Sequence, residues 1–212
     1  NHLIKEAKDT AFGRDHYFSS IKSYEDFKAK VPIRDYEGLK NYVKRIQNGE
    51  SNVLWRGVPL FFAKTSGTTS GVKYIPLTKV SLACQIKAAR NALFHYVATS
   101  GNHQFIDGKM IFLQGSPQLN KLSKVPSGRL SGIVANYVPS YLQSNRLPSY
   151  KTNCIEDWEQ KVEAIIDETL SEDMRLISGI PCWVQMYFER LQKRTGKNIA
   201  DLFPNFSLFV FG

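Results

Sequence analysis

The sequence predicts an α/β fold with a mostly parallel sheet flanked by helices. Three observations carry that prediction. Short apolar runs alternate with stretches of helical period through most of the chain. The run "GKMIFLQGS" (108–116) is continuously apolar between glycines, as a strand covered on both faces would be. The last residues, "FSLFVFG", form another strongly apolar strand.

Taken in order, residues 1–60 read as helices joined by short loops. Ser23 followed by Asp26 has the form of an N-cap with acid in the first turn. Asp35 is placed to cap a second helix, on which Leu39, Tyr42, Val43 and Ile46 recur at helical spacing and Gly49 supplies the stop. "PLFFAKTS" reads as a short strand running into a loop. Thr78 can cap the next helix, whose stripe Leu82, Ile86, Ala89, Leu93 and Val97 is expected to be buried and which ends at Gly101. Residues 117–150, rich in Pro, Ser, Asn and Tyr, show no sustained period and read as a binding loop or lid, or as holding elements that leave no clear pattern. Trp158, Val162, Ile165, Ile166 and Thr169 mark one side of an amphipathic helix. "MRLISGIP" is a strand and loop, and Trp183, Tyr187, Phe188 and Leu191 form the inner face of a helix closed by Gly196. A crossover helix is expected after the last strand, so the chain reads as the leading, truncated portion of a larger protein.

Composition narrows the class. With 212 residues, 42% hydrophobic and 12% aromatic, the chain can bury a substantial core and is not disordered. No apolar run approaches the ~20 residues of a membrane span. The start, "NHLIKEAKDTAFG", is too polar for a signal peptide. Cys84, Cys154 and Cys182 lie far apart, which argues against structural zinc and a disulfide framework and favours a reducing, cytoplasmic setting. The formal charge of +9 suits an anionic ligand. Its basic residues are scattered, with no zinc-finger spacing or ribonucleoprotein motif, so nucleic acid is not the expected partner. The histidines (His2, His16, His95, His103) have no metal spacing, and the carboxylates of 156–173 fall on a solvated helix face, so no metal site is expected in this chain. Oligomeric state is left open.

The chemistry concentrates in "FFAKTSGTTSGVKYIP" (61–76). Gly67 and Gly71 let the backbone approach a ligand, and successive N–H groups in such a loop form an anion-binding concavity. Thr65, Ser66, Thr68, Thr69 and Ser70 add hydroxyl donors, and Lys73 adds a full positive charge. That combination fits a polyphosphate clamp better than a flexible linker. It is not the P-loop of nucleoside triphosphatases: Gly71 follows Gly67 after three residues, Val72 precedes the lysine, and Pro76 blocks a helix from starting there. The same proline excludes Ser70–Lys73 as a Ser-x-x-Lys acyl-enzyme tetrad.

"TSGTTSGVKYIP" resembles the phosphate-binding signature of adenylate-forming enzymes, with Lys73 one residue sooner than in the commonest spelling. The flanking "YEDFKAKVPIRDYEGLKNYVKRIQNGESNVLWRGVPLFF", together with "GKMIFLQGSPQL", "GRLSGI" and "ISGIPCWVQMYFERL", resembles the auxin-responsive acyl-acid amido synthetase family in its bacterial branch. The resemblance implies the N-terminal part of an adenylate-forming enzyme's large domain. Residues 1–60 would form a helical segment packing on the core, and 61–212 an incomplete nucleotide-binding α/β subdomain. It implies ATP and Mg²⁺ as cofactors, and a small-molecule carboxylic acid and an amine or amino acid as partners. Residues 65–71 and Lys73 would hold the nucleotide phosphates. Leu113, Ser131, Ile133, Pro181 and Trp183 are candidates for an acyl pocket, with plain core packing the competing reading for each. The family's Tyr-x-Ser-Ser-Glu type motif, its later ribose-binding Asp and its C-terminal lysine do not occur here, so no catalytic residue is assigned and the chain alone is not expected to adenylate. The alternatives are a non-catalytic nucleotide- or anion-binding module and a protein-interaction domain using the terminal strand edge.

Overall fold

Local capping decides where the N-terminal helices start in the computed structural model, which describes residues 2–65, 71–121, 124–137 and 143–211. After α1 (His2–Ala7), the Thr10 hydroxyl accepts from Gly13 N at 3.0 Å and opens α2 (Ala11–Asp15). Ser23 and Asp26 form a reciprocal box at the start of α3 (Tyr24–Lys30). The Asp26 amide donates to the Ser23 hydroxyl and the Ser23 amide donates to the Asp26 carboxylate, both at 3.1 Å. Asp35 accepts from Gly38 N at 2.9 Å and starts α4 (Tyr36–Gln47). Each such cap contributes about 1 kcal/mol.

The chain divides into two compact units, Asn1–Gln85 with Leu119–Leu130, and Ile86–Gln118 with Ser131–Gly212. The first holds a sheet of order β2-β1-β4. In it β1 (Phe61–Thr65) pairs antiparallel with β2 (Lys73–Leu77) and parallel with β4 (Ser127–Arg129). Phe62 is fully buried in a core with Val43 and Ile46 of α4, Val53 and Val125. Burying an aromatic or branched side chain of this kind stabilises by about 1.5–3 kcal/mol.

The second unit holds a wholly parallel sheet of order β5-β3-β6-β7. Its strands are β3 (Lys109–Leu113), β5 (Arg146–Leu147), β6 (Met174–Gly179) and β7 (Leu208–Val210). β3 is apolar from Met110 to Leu113 because both faces are covered, and Ile111 of β3 and Ile177 of β6 are fully buried. After α6 (Leu130–Ala135) and α7 (Tyr150–Asn153), α8 (Trp158–Thr169) contributes Val162, Ile165 and Ile166 to the core, and α9 (Pro181–Thr195) contributes Val184, Tyr187 and Leu191. Tyr187 and Thr169 satisfy each other's hydroxyls at 2.7 Å, and burial pushes the phenol above its ordinary pKa. Gly196 ends α9 in the left-handed region (φ 69°), as its place after the last apolar residue predicts, and α10 (Ile199–Leu202) follows.

Two expectations need adjustment. In α5 (Lys79–Ser100) only Leu82 of the predicted stripe is buried; Leu93 and Val97 pack partly against Phe105, Met110 and Leu176, and Ala89 is exposed. A helical period marks which face can be buried, and burial then extends only as far as partner surface does. Residues 117–150 are also less irregular than they read, since they hold β4, α6 and β5. Elements of two to six residues are too short to leave a period in the sequence.

Candidate functional site

The hydroxyl-rich segment joins the two antiparallel strands of the first unit. Thr65 and Lys73 are the last pair in register, which brings the two ends of the hydroxyl-rich segment side by side. Thr65 is exposed at the end of β1. Gly71 has φ +75° with open space where a side chain would be, a conformation that favours glycine. Ser66, Gly67, Thr68, Thr69 and Ser70 lie outside the described residues.

The root of this loop is braced from α4. Tyr36, its first residue, accepts a hydrogen bond at 2.9 Å from the backbone amide of Tyr74. The Lys73 ammonium sits 5.8 Å from the centre of the Tyr36 ring, and the Lys64 ammonium 6.0 Å from that of Tyr74. Such contacts orient a lysine at about 0.5–1 kcal/mol without neutralising it. On the other side of β1, Arg129 of β4 stands in register with Lys64. None of Lys64, Lys73 and Arg129 has a carboxylate partner among the described residues. Three unneutralised cations around one loop root favour an oxyanion there. Sequence reasoning found Lys73 but missed Lys64, Tyr36 and Arg129. Lys64 adjoins the loop in sequence and could have been found; Arg129 reaches it only through the β1–β4 pairing.

The acyl-pocket candidates fall in the second unit. Leu113 is 2% exposed and belongs to the core, and Ile133 is 1% exposed on α6. Ser131 is exposed on the same helix, and Pro181 is exposed at the first position of α9. Trp183 is half-buried and stacks on Trp158, ring centres 4.4 Å apart; the Trp158 indole donates to the Met186 sulfur at 2.8 Å. Leu113 and Ile133 are thus buried, while Ser131, Pro181 and Trp183 keep accessible surface. Among the described residues no group of three or more His, Cys, Asp or Glu is placed to hold a metal ion. Nor, among them, is any helix long and apolar enough to cross a membrane.

The model of the GH3 family N-terminal domain matches residues 1–145. The chain belongs to the GH3 family. Among curated GH3 proteins it is similar to the indole-3-acetic acid-amido synthetase GH3.17 of Arabidopsis thaliana, 28% identical over 147 residues, which is 66% of this chain and 23% of that protein. It is also similar to the putative indole-3-acetic acid-amido synthetase GH3.10 of Oryza sativa subsp. japonica, 34% identical over 84 residues, covering 39% of this chain and 16% of that one. Among solved structures, the GH3.15 acyl acid amido synthetase superposes with a TM-score of 0.68 at 17% identity, covering 92% of this chain and 36% of its own. That likeness shows a shared fold. The chain spans less than a quarter of the curated GH3 relatives it matches.

Proposed function

We propose that this chain is the ATP-binding front of an acyl acid amido synthetase. In that reaction a carboxylate attacks the α phosphorus of ATP, giving acyl-AMP and pyrophosphate. An amine, such as that of an amino acid, then attacks the acyl carbon, giving an amide and AMP. The observation that carries the reading is the Thr65–Lys73 hairpin with three unneutralised cations at its root, in a chain of the GH3 family. The names of the similar plant proteins, all amido synthetases, support the amide-forming half.

The chemistry asks for such a site. A carboxylate and a triphosphate repel each other, so the clamp must hold and neutralise the β and γ phosphates while the acid approaches. In this reading Ser66, Gly67, Thr68, Thr69 and Ser70 supply backbone and hydroxyl donors. Thr65 and Gly71 set the loop ends, and Lys73, with Lys64 and Arg129 nearby, supplies charge that favours the departing pyrophosphate. Mg²⁺ would arrive on the nucleotide phosphates, since the described residues offer no acidic cluster for it. Ser131, Pro181 and Trp183 are the accessible candidates for the acid.

The 212 residues correspond to 36% of the solved relative, which favours a second statement about the isolated chain: it binds nucleotide without turning it over. Two measurements test both. ATP titration of the chain should show binding that is lost in the Thr68→Ala/Thr69→Ala variant. Hydroxamate trapping with a panel of carboxylic acids should be positive for a longer product containing the remaining GH3 regions and negative for the chain alone. No ATP binding in either would refute the reading. Acid-dependent pyrophosphate exchange by the 212 residues would refute the second statement.

A further inference from the structure

A cleft of about 610 Å³ opens beside the hairpin, within the first unit. Its walls are Lys64 and Tyr74 of the hairpin, the Gln47–Asn48 end of α4, and Asn120, Lys124 and Ser127 around β4. No carboxylate lines it, and neither lysine pairs with one among the described residues. Two ammonium groups in one concave site repel each other unless an anion sits between them.

Three further details point to a bound oxyanion. Ser127 is only 6% exposed, and its backbone N and O are both used by Asn120, at 2.9 and 2.7 Å. Its hydroxyl makes no hydrogen bond to a described residue, which leaves a donor on the cleft wall. Lys124 packs over Gly49 (φ +87°), where an added Cβ would meet its Cδ at 2.5 Å. Finally, the Lys64–Tyr74 pair is the rung adjoining Thr65–Lys73, so the cleft begins one residue from the loop. The carbonyls at the C-terminal end of α4 would attract one ammonium by themselves. They give no reason for a second.

We propose that this cleft binds a phosphate-class oxyanion at a position distinct from the loop, with Lys124 as its own charged ligand, Lys64 shared with the loop root, and Ser127 as a neutral donor. Free orthophosphate is one source. Pyrophosphate leaving the loop is the other, and only that source rests on the function proposed above.

The test is calorimetric titration of the protein with orthophosphate, with pyrophosphate and with ATP. The variants are Lys124→Met, Lys64→Met, Thr68→Ala/Thr69→Ala, and Lys121→Met as a control for the general basic surface, with folding of each checked by circular dichroism. Lys124→Met should weaken pyrophosphate or orthophosphate binding roughly tenfold or more, as expected for a lost charge-assisted contact. It should change ATP binding less than about threefold, and Lys124→Arg should restore the phosphate affinity. The loop variant should show the converse, losing ATP and keeping the small anion. Preference for pyrophosphate over orthophosphate would identify the leaving group as the source, and the reverse preference a free phosphate. Absence of binding by both small anions, an equal loss in Lys121→Met, or parallel losses of ATP and pyrophosphate in Lys124→Met would each overturn the proposal. Failure of ATP alone would count against the loop and leave the cleft standing.

Discussion

Removing one hydroxyl at Tyr36 should loosen the root of the loop without changing its charge. The Tyr36 phenol accepts from the Tyr74 amide at 2.9 Å, in a partly buried position on the strand that leaves the loop. In Tyr36→Phe that amide loses its partner while the ring beneath the Lys73 ammonium stays. A net hydrogen bond of this kind is worth about 0.5–1.5 kcal/mol. Exchange of the Tyr74 amide proton should therefore accelerate roughly two- to twelvefold, since 1.4 kcal/mol corresponds to tenfold. Hydrogen exchange followed by NMR reads that amide directly and does not require the two units to unfold together. ATP affinity should fall in the same variant, by a smaller factor than in Lys73→Met, because the charge remains. Tyr36→Leu removes the ring as well and should exceed Tyr36→Phe in both readings. Unchanged exchange at Tyr74 in Tyr36→Phe would refute the claim that α4 braces the hairpin.

Other perturbations read the rest of the molecule. Gly49→Ala forces a side chain into the left-handed region and against Lys124, and should cost about 1–2 kcal/mol in denaturant unfolding. Adding Lys124→Ala to that variant should recover the steric part and leave the backbone part. Tyr187→Phe leaves the buried Thr169 hydroxyl with its Ile165 carbonyl partner and should destabilise the second unit by about 1 kcal/mol. Burial pushes the Glu168 carboxyl up, but hydrogen bonds from the Ser149 hydroxyl (2.7 Å), the Thr152 hydroxyl (2.6 Å) and the Ser149 amide (2.6 Å) leave it below its ordinary value of 4.5. Its stabilisation is therefore fully present above that value and lost as pH falls through the lowered one. Glu168→Gln should flatten that acid limb in thermal melts taken across the window, and an unchanged limb would count against the assignment.

Much of the fold was legible because its signals are local. Caps at Ser23, Asp35 and Thr78 act over three residues: the Ser81 amide donates to the Thr78 hydroxyl at 3.1 Å and the Thr78 amide to Ser81 Oγ at 2.9 Å. The apolar run of β3 is read directly as a strand covered on both faces. What stayed hidden depends on long-range pairing. Lys161 lies on a helix that reads as charged and solvated, yet it is 3% exposed and donates to the carbonyls of Gln114 (2.9 Å) and Asn153 (2.7 Å). The neighbouring carboxylates do face outward, where Glu163 and Asp167 pair with Arg190 (2.9 Å) and Arg194 (2.6 Å) of α9. In the candidate site, the loop is proposed from its residue types, and Ser66, Gly67, Thr68, Thr69 and Ser70 lie outside the described residues. Its supporting cations were not all found, because β4 is three residues long and pairs with a strand far away in the chain.

That distant pairing sets an order of assembly. Phe62 pairs with Ser127, and its amide donates to Pro126 O at 2.8 Å, so β1 gains its second neighbour from residues made some 65 positions later (127 minus 62). At about 5–20 residues per second, a ribosome would leave that side of the strand waiting for several seconds. Once β2 has been made, β1 has only that one neighbour for the rest of the interval, and β3 is synthesised before the second arrives. A nascent chain arrested before residue 126 should consequently offer β1 as a sticky edge to chaperones, and one released after it should not.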